Sequence, residues 1–121
     1  MARVSENQAA DGQRSLRFSD GPGQQQAFWP HVIYRCRFDE GRLVGGFDIR
    51  VDQMTSMYYQ WRQYDDNYRS GPTITILPGG VVTHKGKTLL RIPIDQWVRF
   101  EVECNAGANA TGTFQMRVLL P

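Results

Sequence analysis

Apolar and polar residues alternate along most of the chain, and a period of two is the mark of strands with one buried and one wet face. The clearest run is 43–51, where Leu43, Gly45, Phe47, Ile49 and Val51 hold every second position and Asp48 and Arg50 lie between them. Leu16 and Phe18 alternate within Ser15–Ser19, ahead of the breaker Asp20-Gly21-Pro22-Gly23. Residues 27–38 are rich in aromatic and β-branched side chains and end at Asp39-Glu40-Gly41, which predicts a strand closed by a turn. Thr55–Gln63 puts Met57, Tyr59 and Trp61 on one face and Tyr58, Gln60 and Arg62 on the other. Gly71-Pro72 breaks the pattern, and Thr73–Leu77 resumes it with Ile74 and Ile76 inward. Pro78-Gly79-Gly80 and Lys85-Gly86-Lys87 are hairpin chemistry around Val81–Thr83, leading to Thr88–Ile92, so a meander is expected. Trp97–Cys104 turns Val98, Phe100, Val102 and Cys104 inward, and Thr113–Leu119 turns Phe114, Met116 and Val118 inward. No stretch carries a helical period. Short alternating strands between Gly and Pro turns predict an all-β, antiparallel sandwich or barrel.

Composition narrows the class without naming a chemistry. The 121 residues suit a single domain over 1–121, with 1–11 as a flexible N-terminal segment. No apolar run approaches the roughly 20 residues of a membrane span, and Met1–Gln8 lacks the apolar core of a secretory signal. The net charge of +2 is spread out, with His84-Lys85-Gly86-Lys87 its densest cluster in a turn, so neither nucleic acid nor membrane is the expected partner. Cys36 and Cys104 are too few for a zinc knuckle or redox motif; they read as buried free thiols, with a disulfide as the alternative.

Candidate chemistry concentrates in 57–69, which holds four tyrosines, one tryptophan, two arginines and two aspartates. Aromatic faces stack on the apolar C–H faces of sugar rings while Arg, Asp, Asn and Gln pair with hydroxyls. Tyr58, Arg62 and Tyr64 with the loop residues Asp65, Asn67 and Arg69 form the candidate binding set, assisted by Trp29 and His31 if the fold brings them near. His31 and His84 lack metal-ligand spacing, and no cofactor is expected, although Asp65, Asp66 and Asn67 are hard oxygen donors of the kind calcium takes. Asp65 and Asp66 are adjacent and point apart. Glu101 and Glu103 sit on one strand face about 7 Å apart, a spacing a glycosidase could use. A charged cross-strand ladder involving Arg50 and Arg99 is the plainer account of that face, so no catalytic residue is assigned.

The tail Ile94-Asp95-Gln96-Trp97-Val98-Arg99-Phe100-Glu101-Val102, then Gly107, then Thr111-Gly112-Thr113-Phe114-Gln115-Met116-Arg117-Val118, resembles the late strands of concanavalin A-like lectin/glucanase (laminin-G-like) jelly rolls. Upstream, Gly12-Gln13-Arg14-Ser15-Leu16-Arg17-Phe18 resembles their G-x-x-S-L-x-F opening, and Gly46-Phe47-Asp48-Ile49-Arg50 their F-D-I-R strand. The resemblance covers about Gly12 to Leu120 and implies a jelly roll, here minimal or truncated, with no strand before the opening motif and none after the last. The catalytic Glu-x-Asp-x-x-Glu strand of the glucanases is missing, so the resemblance implies carbohydrate binding rather than hydrolysis.

Three functions are therefore expected in descending order. The first is a noncatalytic, lectin-like module for a polysaccharide or oligosaccharide, working in an extracellular or periplasmic setting. The second is a small glycoside hydrolase or polysaccharide lyase. The third is a structural domain that self-associates through its edge strands, a homo-oligomer with a Tyr, Trp and Arg interface.

Overall fold

The computed structural model describes residues 1–22, 30–63 and 69–121. The backbone forms two compact units, Met1–Cys36 and Arg37–Pro121.

In the first unit, β1 (Ala2–Ser5) pairs antiparallel with β2 (Ser15–Phe18), Ala2 opposite Phe18 and Val4 opposite Leu16. The Ser19 N–H donates to the Met1 carbonyl at 2.8 Å, and the terminal ammonium donates to the Ser19 carbonyl. A strand therefore does precede the Ser-Leu-x-Phe segment, contrary to the sequence expectation. Period two alone missed β1 because Ala2-Arg3-Val4-Ser5 is too short to establish it. The strand expected over 27–38 is also corrected. Residues 30–38 form none, and Val32, Ile33, Tyr34 and Phe38 are exposed; 27–29 lie outside the described residues. Strand propensity without a partner edge makes no ladder.

The second unit is a sandwich of antiparallel sheets. One holds β3 (Gly41–Arg50), β8 (Trp97–Ala106) and β9 (Gln115–Leu119) in the order β3-β8-β9. The other is the expected meander of β4 (Met57–Arg62), β5 (Ser70–Leu77), β6 (Val81–His84) and β7 (Lys87–Arg91) in chain order. Among the described residues the only helical piece is a single 3₁₀ turn at Gly107–Asn109.

The inward residues that alternation assigned do form the core: Ile74, Ile76, Val82, Val98, Phe100 and Val102 are buried, joined by Val51 and Ile92. Phe47 lies parallel to Phe100 in its own sheet, with centroids 5.3 Å apart, and meets Tyr59 of the facing sheet at 4.5 Å. Met57, Tyr59 and Trp61 all pack on this cluster. Gly45 supplies the space Trp61 needs, since a Cβ there would stand 2.8 Å from Trp61 Cζ2 and 3.0 Å from Tyr59 Oη.

Gly71-Pro72 does not end the pattern; both residues lie inside β5. Gln60 faces Thr73 and Arg62 faces Ser70, so Trp61 alone opposes Gly71 and Pro72 in a β-bulge. A bulge is where a sheet tolerates a residue without an N–H. Cys36 is exposed rather than buried, Cys104 is half-buried, and both are free thiols. Cys36 sits in the strandless 30–38 segment, where no sheet covers it.

Candidate functional site

Strand β4 divides its aromatics as its alternation predicts. Trp61 Nε1 donates to Tyr59 Oη at 2.6 Å within the core layer. Tyr58, Gln60 and Arg62 point the other way, and Tyr58 keeps 51% of its surface in solvent. The sheet register sets threonines beside them: Tyr58 faces Thr75, Gln60 faces Thr73, Thr75 faces Thr83, and Thr83 faces Thr88. The outer face of the meander thus sets a half-exposed tyrosine beside threonines of β5 and the exposed Thr88, while Thr83 between them is buried.

The polar groups on this face are held in order. Arg62 Nε donates to Gln60 Oε1 at 2.6 Å, Gln60 Nε2 donates to Thr73 Oγ1 at 3.1 Å, and Thr73 Oγ1 donates to the Gly71 carbonyl at 3.2 Å. His84 donates through Nδ1 to the Thr73 carbonyl at 2.8 Å and meets Phe114 edge-on at 5.0 Å, tying the end of β6 to β5. The Gln63 N–H donates to the Arg69 carbonyl at 2.7 Å, which closes the base of the loop and sets the exposed Arg69 next to the Arg62–Ser70 pair.

Of the candidate residues, Arg62 and Arg69 therefore lie at one end of the meander sheet, and Tyr58 lies on the same face of β4 toward its other end. His31 is exposed in the first unit. Trp29, Tyr64, Asp65 and Asn67 lie outside the described residues, and so does Asp66 of the calcium donor set. Among the described residues no three His, Cys, Asp or Glu side chains converge as metal ligands. Gln60, Thr73 and Thr75 were missing from the candidate set. Their signal was present, as the polar partners of Tyr59, Ile74 and Ile76 in the alternation, but only the register shows that they adjoin Tyr58 and Arg62.

The carboxylates of the other sheet serve a ladder on its outer face. Arg99 Nη1 donates to Asp48 Oδ2 at 3.0 Å and lies 3.8 Å from Glu101, which Arg117 approaches at 3.4 Å. Arg42 grips Glu103 with Nε and, at 2.8 Å, with Nη2. That hydrogen bond, with the charges of Arg42 and Arg117, holds the Glu103 carboxyl below its ordinary range against the opposing effect of desolvation. A carboxyl kept ionised in a bidentate grip is a poor proton donor. Burial pushes the Cys104 thiol upward, away from the thiolate a nucleophile needs.

Two shallow polar concavities lie on the first unit, around Glu6, Asn7 and Gln8 and around Arg3, Ser5 and Arg14. Neither contains an aromatic side chain. Comparison with protein-family models, with curated proteins and with solved structures found no match.

Proposed function

We propose that the protein is a noncatalytic carbohydrate-binding module whose sugar-binding surface is the outer face of β4 and β5. One observation carries the proposal: half-exposed Tyr58 stands beside polar groups already fixed by the Arg62–Gln60–Thr73 chain of hydrogen bonds. The ring gives a sugar an apolar face to stack on, and the amide, guanidinium and threonine hydroxyls pair with its hydroxyls. Holding those groups on a sheet lowers the entropy lost when a ligand orders them. Arg69 extends the surface at the Arg62 end. The sandwich is read as a lectin-like jelly roll from the sequence resemblance of its late strands, and a polysaccharide ligand implies an extracellular or periplasmic setting. Binding is favoured over hydrolysis because Glu101 and Glu103 are engaged by arginines of their own sheet.

Isothermal titration against a panel of neutral and acidic polysaccharides tests the proposal. At least one should bind, and Tyr58→Ala should weaken it by about 1–2 kcal/mol, roughly tenfold in Kd, with the melting temperature unchanged. No binding across the panel, or binding indifferent to Tyr58→Ala, defeats it.

A further inference from the structure

The rim strands of the second unit are not alike. β7 and β9 are each five residues long, β7 begins and ends with Lys87 and Arg91, and β4 is six residues long, its pairing interrupted at Trp61 by the Gly71-Pro72 bulge of β5. Short length, terminal charge and bulges are the usual protections of an exposed sheet edge. β3 is neither short nor bulged, although it ends at Arg50. It runs for ten residues without proline or register shift, and among the described residues it pairs only with β8 and accepts or donates no other backbone hydrogen bond.

We propose that β3 pairs antiparallel with β3 of a second copy, about a twofold axis through Gly45. The side chains select this register. An odd offset would put the core-facing Leu43 and Phe47 on the wet side of the partner's sheet. Centring on Gly46 would set Arg42 against the partner's Arg50, a like-charge pair at each end. Centring on Gly45 sets Arg42 against the partner's Asp48, twice by symmetry, and Leu43 against the partner's Phe47 on the core side. Arg42 engages Glu103 through Nε and Nη2, and Asp48 accepts from Arg99 at Oδ2, so Nη1 and Oδ1 are the atoms left for the new pair. Val44, 61% exposed on the outer face, would lie beside the partner's Gly46.

Because both copies keep their cores on the same side of the joined sheet, the outer faces of both meanders look the same way. Two Tyr58 surfaces then meet one repeating polymer, which raises avidity without any new contact. That consequence rests on the proposed function; the pairing does not.

Sedimentation equilibrium on the full chain is the test. A concentration-dependent dimer is expected, its Kd raised roughly tenfold or more by Asp48→Arg and recovered when Arg42→Asp is added. Amide exchange on the unmutated chain gives a readout that needs no variant, since protection at Gly41–Arg50 should rise with concentration. A monomer from micromolar to millimolar concentration, a dimer indifferent to Asp48→Arg, or exchange at Gly41–Arg50 independent of concentration overturns the proposal. A dimer of this kind that binds no polysaccharide leaves the pairing standing and removes only the function.

Discussion

At position 45 the sandwich has room for a hydrogen and little more, because Trp61 and Tyr59 of the facing sheet close over it. Gly45→Ala should therefore cost about 1–3 kcal/mol through overpacking, read as a lower denaturation midpoint, whereas Gly112→Ala, with nothing within 4 Å, meets only its positive φ. Alternation marks Gly45 as inward; nothing in the sequence tells which side chain lies above it. Glu103 supplies a residue-scale prediction of the opposite character. Its folded pKa lies below the unfolded one, so its contribution is present above the unfolded value and is lost as pH falls through the folded value. Glu103→Gln should consequently lower stability at neutral and alkaline pH by a constant amount and flatten the acid limb of the stability curve. Urea midpoints from neutral pH down through the carboxylate range would show it, and an unaltered acid limb would refute it.

Among the elements, hairpins were the most legible and register the least. Pro78-Gly79-Gly80 closes through the Gly80 N–H to the Leu77 carbonyl at 3.1 Å, with both glycines at positive φ. Lys85 and Gly86, at φ +47 and +77, form the two-residue loop between the paired residues His84 and Lys87. Positive φ at both central positions is the type I′ requirement, which asparagine followed by glycine meets best. Lys85→Asn should thus stabilise the hairpin by about 0.5–1 kcal/mol, seen as a higher midpoint in urea. Gly71-Pro72 marks the limit of such local reasoning. The dipeptide reads as a break, yet Trp61 across the sheet absorbs it as a bulge, and the sequence separation between them conceals that compensation.

For the whole molecule, every buried core side chain among the described residues lies within Arg37–Pro121. A chain trimmed to those residues should keep one cooperative thermal transition and its β-sheet circular dichroism, and loss of either would show that Met1–Cys36 is required. The all-β class, the meander, the hairpin turns and the inward or outward sense of nearly every strand residue in the sandwich were legible in the amino-acid order. They were legible because period two and turn chemistry are local properties of the chain. Long-range pairing alone brings β3 against β8, with Arg50 opposite Trp97, leaves residues 30–38 without a ladder, and sets Gln60, Thr73 and Thr75 beside Tyr58. Strand partnership and register arise from contacts between distant segments. The aromatic run of 57–69 was visible as composition, but whether a tyrosine in it fills the core or faces a ligand depended on the strand laid against it.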